Sequence, residues 1–273
     1  MSLYRNMTTP PTPDTLWETV PLSGSEPIHY QFGPLSVWIR KIENDFILYL
    51  KRTPTEEIRC SVGTGEIPAD LKATDRFAYD GEFEAIHAVP MLPERSIVVR
   101  PENPLKILSG QKTLFFVSIP LSIRFELLQG TQRTTLVDLP TQILSNTLFG
   151  DTMTGELSFA LKTSAKHRLE TVTKRRWRAI CAVTVVNKSD RNLDLQRLCV
   201  QSRHLGCFQG KDFLWTHPIV VTHRSEKDEI LVTFGDAPPA FETIGEQLSE
   251  AREPVKKSLL RRGLSSLRLP GFA

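Results

Sequence analysis

A chain of 273 residues with 40% hydrophobic side chains is long enough for one large or two ordinary domains and apolar enough to bury a core, which excludes disorder of the whole. No run approaches the roughly 20 apolar residues of a membrane-spanning helix, and the start, MSLYRNMTTPPTPDT, has no signal-peptide core, so a cytoplasmic protein is expected. Net charge is only +3, yet six basic residues against Glu253 alone put +5 between Arg252 and Ala273 and leave −2 elsewhere, which points to a local contact with something acidic.

The 19 prolines lie among short apolar runs, as in chains of many brief strands joined by turns. Residues 1–27, with TTPPTP, lack periodicity and read as a flexible arm. From His29 the pattern alternates: Leu35, Val37 and Ile39 share a face, and a second run from Phe46 to Leu50 follows the turn candidates Asn44 and Asp45. That is a hairpin. Shorter candidate strands run from Phe83 to Val89 and Ser96 to Val99, and Pro101 and Pro104 mark a seam between a smaller β region, 28–103, and a larger β-sandwich, 104–238. Beyond the seam eight runs at short spacing carry the sandwich or barrel signature, from Thr113 to Ile119 through Ile230 to Phe234. In RAICAVTVVNKSDRNLDLQRLCV, two β-rich runs flank Asn187 to Asn192, which predicts an antiparallel hairpin, and apolar residues on both faces of its first strand predict a central one.

The period then changes. Phe241, Ile244, Leu248 and Ala251 recur at spacings of three and four, so 239–273 is expected to be a helical basic tail. Leu260, Leu264 and Leu267 form a second such stripe beside Lys256, Lys257, Arg261 and Arg268. A basic amphipathic stripe can lie on an anionic membrane surface or in a partner's groove. The bland alternative is that the three leucines dock on the protein's own body.

Two further clusters are candidate ligand sites. In NTLFGDTMTGEL, Asn146, Asp151 and Glu156 offer oxygens and Gly150 and Gly155 permit tight turns, a combination suited to a cation or a sugar hydroxyl, although the spacing matches no calcium loop and an ordinary connection would look the same. In Lys174-Arg175-Arg176-Trp177-Arg178, guanidinium groups beside an indole could meet phosphate, stack on a base or clamp an acidic ligand. On a strand, though, Arg176 and Arg178 point away from Arg175 and Trp177, so they converge only if a turn intervenes; otherwise this is a solvated hairpin end.

The four cysteines, Cys60, Cys181, Cys199 and Cys207, lack a CxxC pair and read as buried thiols. Cys199, His204, Cys207, His217 and His223 fall close together, but without a supporting metal motif core cysteines and surface histidines account for them, and no metal or cofactor is expected. No GxSxG, Walker, GxGxxG or HExxH motif is present.

The strings LSNTLFGDTMTGELSFAL and PENPLKILSGQKTLFFVSIPLSIRF together resemble an uncharacterised prokaryotic family defined by a domain of unknown function, over about residues 30–240. The resemblance implies no activity, cofactor or catalytic residue to carry over. The expectation is therefore a mainly β protein, a sandwich-like body of antiparallel strands with a short helical carboxy-terminal segment. Its expected role is non-enzymatic interaction or regulation, with the tail meeting a protein partner or an anionic membrane surface. Two rivals are an enzyme or carbohydrate-binding module built on the 146–156 loop, and nucleic-acid binding through Arg175, Arg176 and Arg178, the latter not expected.

Overall fold

A computed structural model describes residues 15–54, 58–150, 155–224, 229–254 and 258–262. Strands are the dominant regular structure among the described residues. They are, in order, β1 (Thr19–Pro21), β2 (Ile28–Phe32), β3 (Leu35–Ile42), β4 (Asp45–Arg52), β5 (Cys60–Thr64), β6 (Asp75–Ala78), β7 (Ala85–Met91) and β8 (Ile97–Val99). Next come β9 (Leu105–Ile107), β10 (Lys112–Pro120), β11 (Ser122–Gln129), β12 (Gln132–Pro140), β13 (Ser145–Phe149), β14 (Glu156–Ala160), β15 (Arg178–Asn187) and β16 (Leu193–Leu195). The last are β17 (Leu198–Val200), β18 (Cys207–Gly210), β19 (Leu214–Thr216), β20 (Ile219–Arg224), β21 (Glu229–Phe234), β22 (Ile244–Ser249) and β23 (Ser258–Arg262). Among the described residues, no helix is long and apolar enough to cross a membrane.

The chain divides into two compact units, residues up to Val89 with Ile123–Thr141, and Pro90–Ser122 with the chain from Gln142 onward. The expected seam at Pro101 and Pro104 lies inside the second unit. In the first unit a five-stranded sheet, β5-β2-β3-β4-β6, is joined to a four-stranded one, β1-β7-β11-β12, by rings. Tyr30 and Phe32 of β2 meet Phe125 of β11 edge-on with centroids 5.0 and 6.4 Å apart, and all three are fully buried, each worth about 1.5–3 kcal/mol. The β3–β4 hairpin forms as expected, but its two-residue turn is Glu43-Asn44, with Glu43 at φ 52°; Asp45, expected in the turn, opens β4 opposite Ile42. The expected arm is anchored from residue 15: Leu16 and Trp17 are buried and Thr19–Pro21 pairs with β7. Residues 1–14 lie outside the described residues.

The second unit is organised around β15, a central strand buried on both faces, as its composition predicts. Along one edge β10 pairs with it antiparallel for nine positions, and along the other β19 and β20 follow one another in parallel. The break at His217-Pro218 splits the sheet, with β18 and β22 continuing beyond β19, and β21 and β23 beyond β20. A separate sheet, β13-β14-β8-β17, includes the parallel pair β14 and β8, and β16 pairs with β9.

Two expectations are corrected here. The strands flanking Asn187–Asn192 do not form a hairpin: β15 has both edges occupied, and β16 pairs with β9 instead. Asn187 redirects the chain. Its fully buried amide donates to the Ile107 and Arg191 carbonyls at 2.9 and 2.8 Å, and its Oδ1 accepts from the Ser189 N–H at 3.1 Å and the Ser189 hydroxyl at 2.7 Å. The helical tail is likewise absent over 244–249 and 258–262, where the chain is strand, and the described residues hold only single 3-10 turns. The spacing of three and four comes from an irregular edge: β22 pairs with β18 through register shifts on both sides of Phe208, so its apolar contacts slip out of the two-residue period. Phe241 stacks on Trp215 at 5.6 Å and Ile244 packs on the Phe116, Ile180, Phe208 and Trp215 core.

Candidate functional site

Among the sequence candidates, the 174–178 segment is the one whose residues the fold brings together, because a turn does intervene. The Arg178 N–H donates to the Arg175 carbonyl at 3.1 Å, closing a four-residue turn, and β15 begins only at Arg178. The expectation of strand alternation fails for that reason. Instead the Arg175 and Arg178 guanidinium carbons lie 5.7 and 5.2 Å from the centroid of the same Trp177 indole, a geometry worth about 0.5–2 kcal/mol each.

Arg178 is 3% exposed and spends its donors on neutral acceptors. Nε donates to Ser118 Oγ at 2.9 Å, Nη1 to Gln142 Oε1 at 3.1 Å, and Nη2 to Thr163 Oγ1 at 3.0 Å and to the Ser118 carbonyl. No carboxylate among the described residues pairs with it. Burial lowers its pKa to about 9, and the Arg175 charge adds to the shift. Arg175 is half-buried; its Nε and the Trp177 Nε1 are both buried donors without an acceptor among the described residues. Lys174, by contrast, is engaged: it pairs with Asp212 at 2.9 Å and sits 5.9 Å from the Phe213 ring. The hydrogen bond from Lys174, with the charges of Lys174, Lys211 and Arg176, holds the exposed Asp212 carboxyl below its ordinary pKa. Trp177 is fully buried, so its indole offers no face to a nucleic-acid base.

Of the 146–156 candidates, Asn146 and Glu156 do not converge. In the β13–β14 hairpin Phe149 opposes Glu156 and Asn146 opposes Phe159, so the strand alternation puts Asn146 and Glu156 on opposite faces. Asn146 is exposed and accepts from Arg95 Nη1 at 3.2 Å, with the Arg95 guanidinium 5.3 Å from the Phe159 ring. Glu156 accepts from the Ser96 hydroxyl and lies 3.8 Å from Arg203 Nη2, whose Nε is 3.4 Å from Glu253. Both acceptors already serve neighbouring strands and turns. Asp151 lies outside the described residues.

In the tail, Leu260 and Arg261 occupy β23, opposite Leu231 and Ile230 of β21, at the end of the strand order in the largest sheet. Lys256, Lys257, Leu264, Leu267 and Arg268 lie outside the described residues.

Three features had no usable sequence signal. Ser118, Gln142 and Thr163 reach Arg178 from separate segments. The first unit holds a polar cavity of about 460 Å³ between Lys41, Glu43, Glu82, Glu84 and Gln129, assembled from three stretches of chain. Glu242 gathers three donors: Trp215 Nε1–H at 2.6 Å and the backbone N–H groups of Phe213 and Asp212 at 3.1 Å each. Among the described residues, no group of three histidine, cysteine, aspartate or glutamate side chains could hold a metal.

A family model described as "Protein of unknown function (DUF432)" matches residues 16–267. No curated protein and no solved structure matches the chain.

Proposed function

The chain belongs to the DUF432 family of proteins of unknown function, and we propose that it acts by binding, as an interaction or regulatory protein that presents its basic carboxy-terminal segment to an acidic protein partner. The observation that carries this reading is the place of β23. The segment from Arg252 to Ala273 holds +5, and its Ser258–Arg262 stretch is laid along β21 as the last strand of the sheet among the described residues. A last strand offers a row of backbone donors and acceptors to an incoming extended segment, and the surrounding basic residues select an acidic one.

Strand geometry also weighs between the two partners expected for the tail. The backbone of Ser258–Arg262 pairs with β21 as a strand, so over these residues the chain is not the amphipathic helix that lies on a membrane surface. An acidic peptide is therefore favoured over an anionic membrane. The rival built on the 146–156 loop, an enzyme or a carbohydrate-binding module, is weakened because Asn146 and Glu156 face apart and already hold structural partners.

Fluorescence anisotropy with a labelled, extended, glutamate-rich peptide tests this. Affinity should fall as salt rises and drop at least about tenfold when Arg261 and Arg262 are both changed to Glu. Equal binding by that variant would refute the reading. Cosedimentation with anionic vesicles in the absence of peptide binding would replace it with the membrane surface.

A further inference from the structure

The turn at Arg175–Arg178 stands apart from the tail, and its charges have no use in the reading above. Burying a guanidinium is costly unless something negative meets it. Here the fold buries Arg178 against hydroxyls, a carbonyl and an amide, and brings Arg175 to the same indole. Arg176 adds a third positive charge within the turn. Within this basic run Lys174 pairs with Asp212 and the Arg176 charge acts on the same carboxylate, whereas no carboxylate among the described residues pairs with Arg175 or Arg178.

The donors tell the same story. Trp177 is fully buried, and its indole N–H meets no acceptor among the described residues. The Arg175 Nε–H is buried and equally unmet, although the Arg175 side chain as a whole reaches solvent. An unanswered buried donor costs about 1–3 kcal/mol, more for a charged group. Two of them, flanked by cations on one four-residue turn, are what a bound anion would satisfy. Nearby acceptors do not: Ser118, Gln142 and Thr163 are committed to Arg178.

We propose that the Arg175–Arg178 turn is a binding site for a phosphate-type oxyanion, which accepts from the Arg175 Nε–H and the Trp177 Nε1–H while the buried Arg178 supplies charge behind the indole. Two guanidinium groups without a carboxylate partner, Arg175 and Arg178, suit a dianion better than a single carboxylate. The burial of both donor atoms suits a small ion or a phosphomonoester, not a polymer backbone. Arg175 reaches solvent and makes no side-chain hydrogen bond among the described residues, so its guanidinium is available to the ion.

The indole N–H resonances of the ¹⁵N-labelled full chain read this directly. Inorganic phosphate at constant ionic strength should move one indole signal saturably, and that signal should be missing from Trp177→Phe. Glycerol phosphate in place of the inorganic ion distinguishes an esterified from a free phosphate, and acetate and chloride are the controls for carboxylate and for ionic strength. Arg175→Ala should weaken the phosphate response at least about tenfold, since it removes a charge-assisted donor pair. A thermal melt with and without phosphate provides the same comparison should Trp177→Phe fold poorly: the stabilisation should disappear in Arg175→Ala. A non-saturating shift, a response equalled by chloride or acetate, or one unchanged in Arg175→Ala overturns the proposal.

Discussion

Replacing Glu242 with alanine tests how the most irregular strand of the second unit is held. The carboxylate accepts from the Trp215 indole at 2.6 Å and from the Phe213 and Asp212 N–H groups at 3.1 Å. Trp215 is fully buried, so its N–H would be stranded without water, at about 1–3 kcal/mol. Asp212 is exposed and Phe213 lies beside it, so water can replace the two backbone bonds, at about 0.5 kcal/mol each. The sum is about 2–4 kcal/mol. Glu242→Gln keeps an acceptor for Trp215 but turns an amide donor toward the Asp212 N–H, and should cost about 1 kcal/mol. Urea denaturation followed by tryptophan fluorescence measures the difference, and the Trp215 indole resonance should move in both variants. A loss below about 0.5 kcal/mol in Glu242→Ala would show that the carboxylate does not hold β22 in place.

Two other substitutions probe backbone strain and protonation. Glu43 occupies the left-handed region at φ 52° in the β3–β4 turn, so Glu43→Gly should stabilise the protein by about 0.5–1 kcal/mol in a thermal melt, while Glu43→Ala should not. His217 Nδ1 accepts the Gly206 N–H at 3.1 Å, which requires a neutral ring, and burial lowers its pKa despite the opposing charges of Glu250 and Asp236. A folded pKa below 6.5 means that the stabilisation is complete above pH 6.5 and is lost as pH falls through the folded value. Wild type should therefore lose stability as pH falls below 6.5 more steeply than His217→Gln, by less than about 1.4 kcal/mol per pH unit because the ring is half-exposed. Parallel pH profiles would contradict that role.

Function lay less open to sequence reading than fold did, and the 174–178 segment shows why. Its residue types announce anion chemistry, but whether they act together depends on a single hydrogen bond, Arg178 N–H to the Arg175 carbonyl, which turns a presumed strand into a turn. The 146–156 loop shows the reverse. Its composition suggests a site, and pairing register then sends Asn146 and Glu156 to opposite faces.

What the amino-acid order determined by itself was local: alternation in β3, a hairpin from it to β4 with Asn44 in the turn, and the doubly apolar β15 that had to be central. These follow from side-chain period and burial within a few residues. Only the tertiary structure decided which edges those strands would share. Asn187 looks like any turn residue until it is buried among the Ile107 and Arg191 carbonyls, and the chain after it then pairs with β9 rather than folding back. The spacing of Phe241, Ile244 and Leu248 imitates a helix, but Phe241 stacks on Trp215 ahead of the strand, and Ile244 and Leu248 belong to β22, whose pairing with β18 is shifted in register. Strand pairing is a long-range choice made by competition for edges, and a one-dimensional pattern records the faces of a strand but not its neighbours.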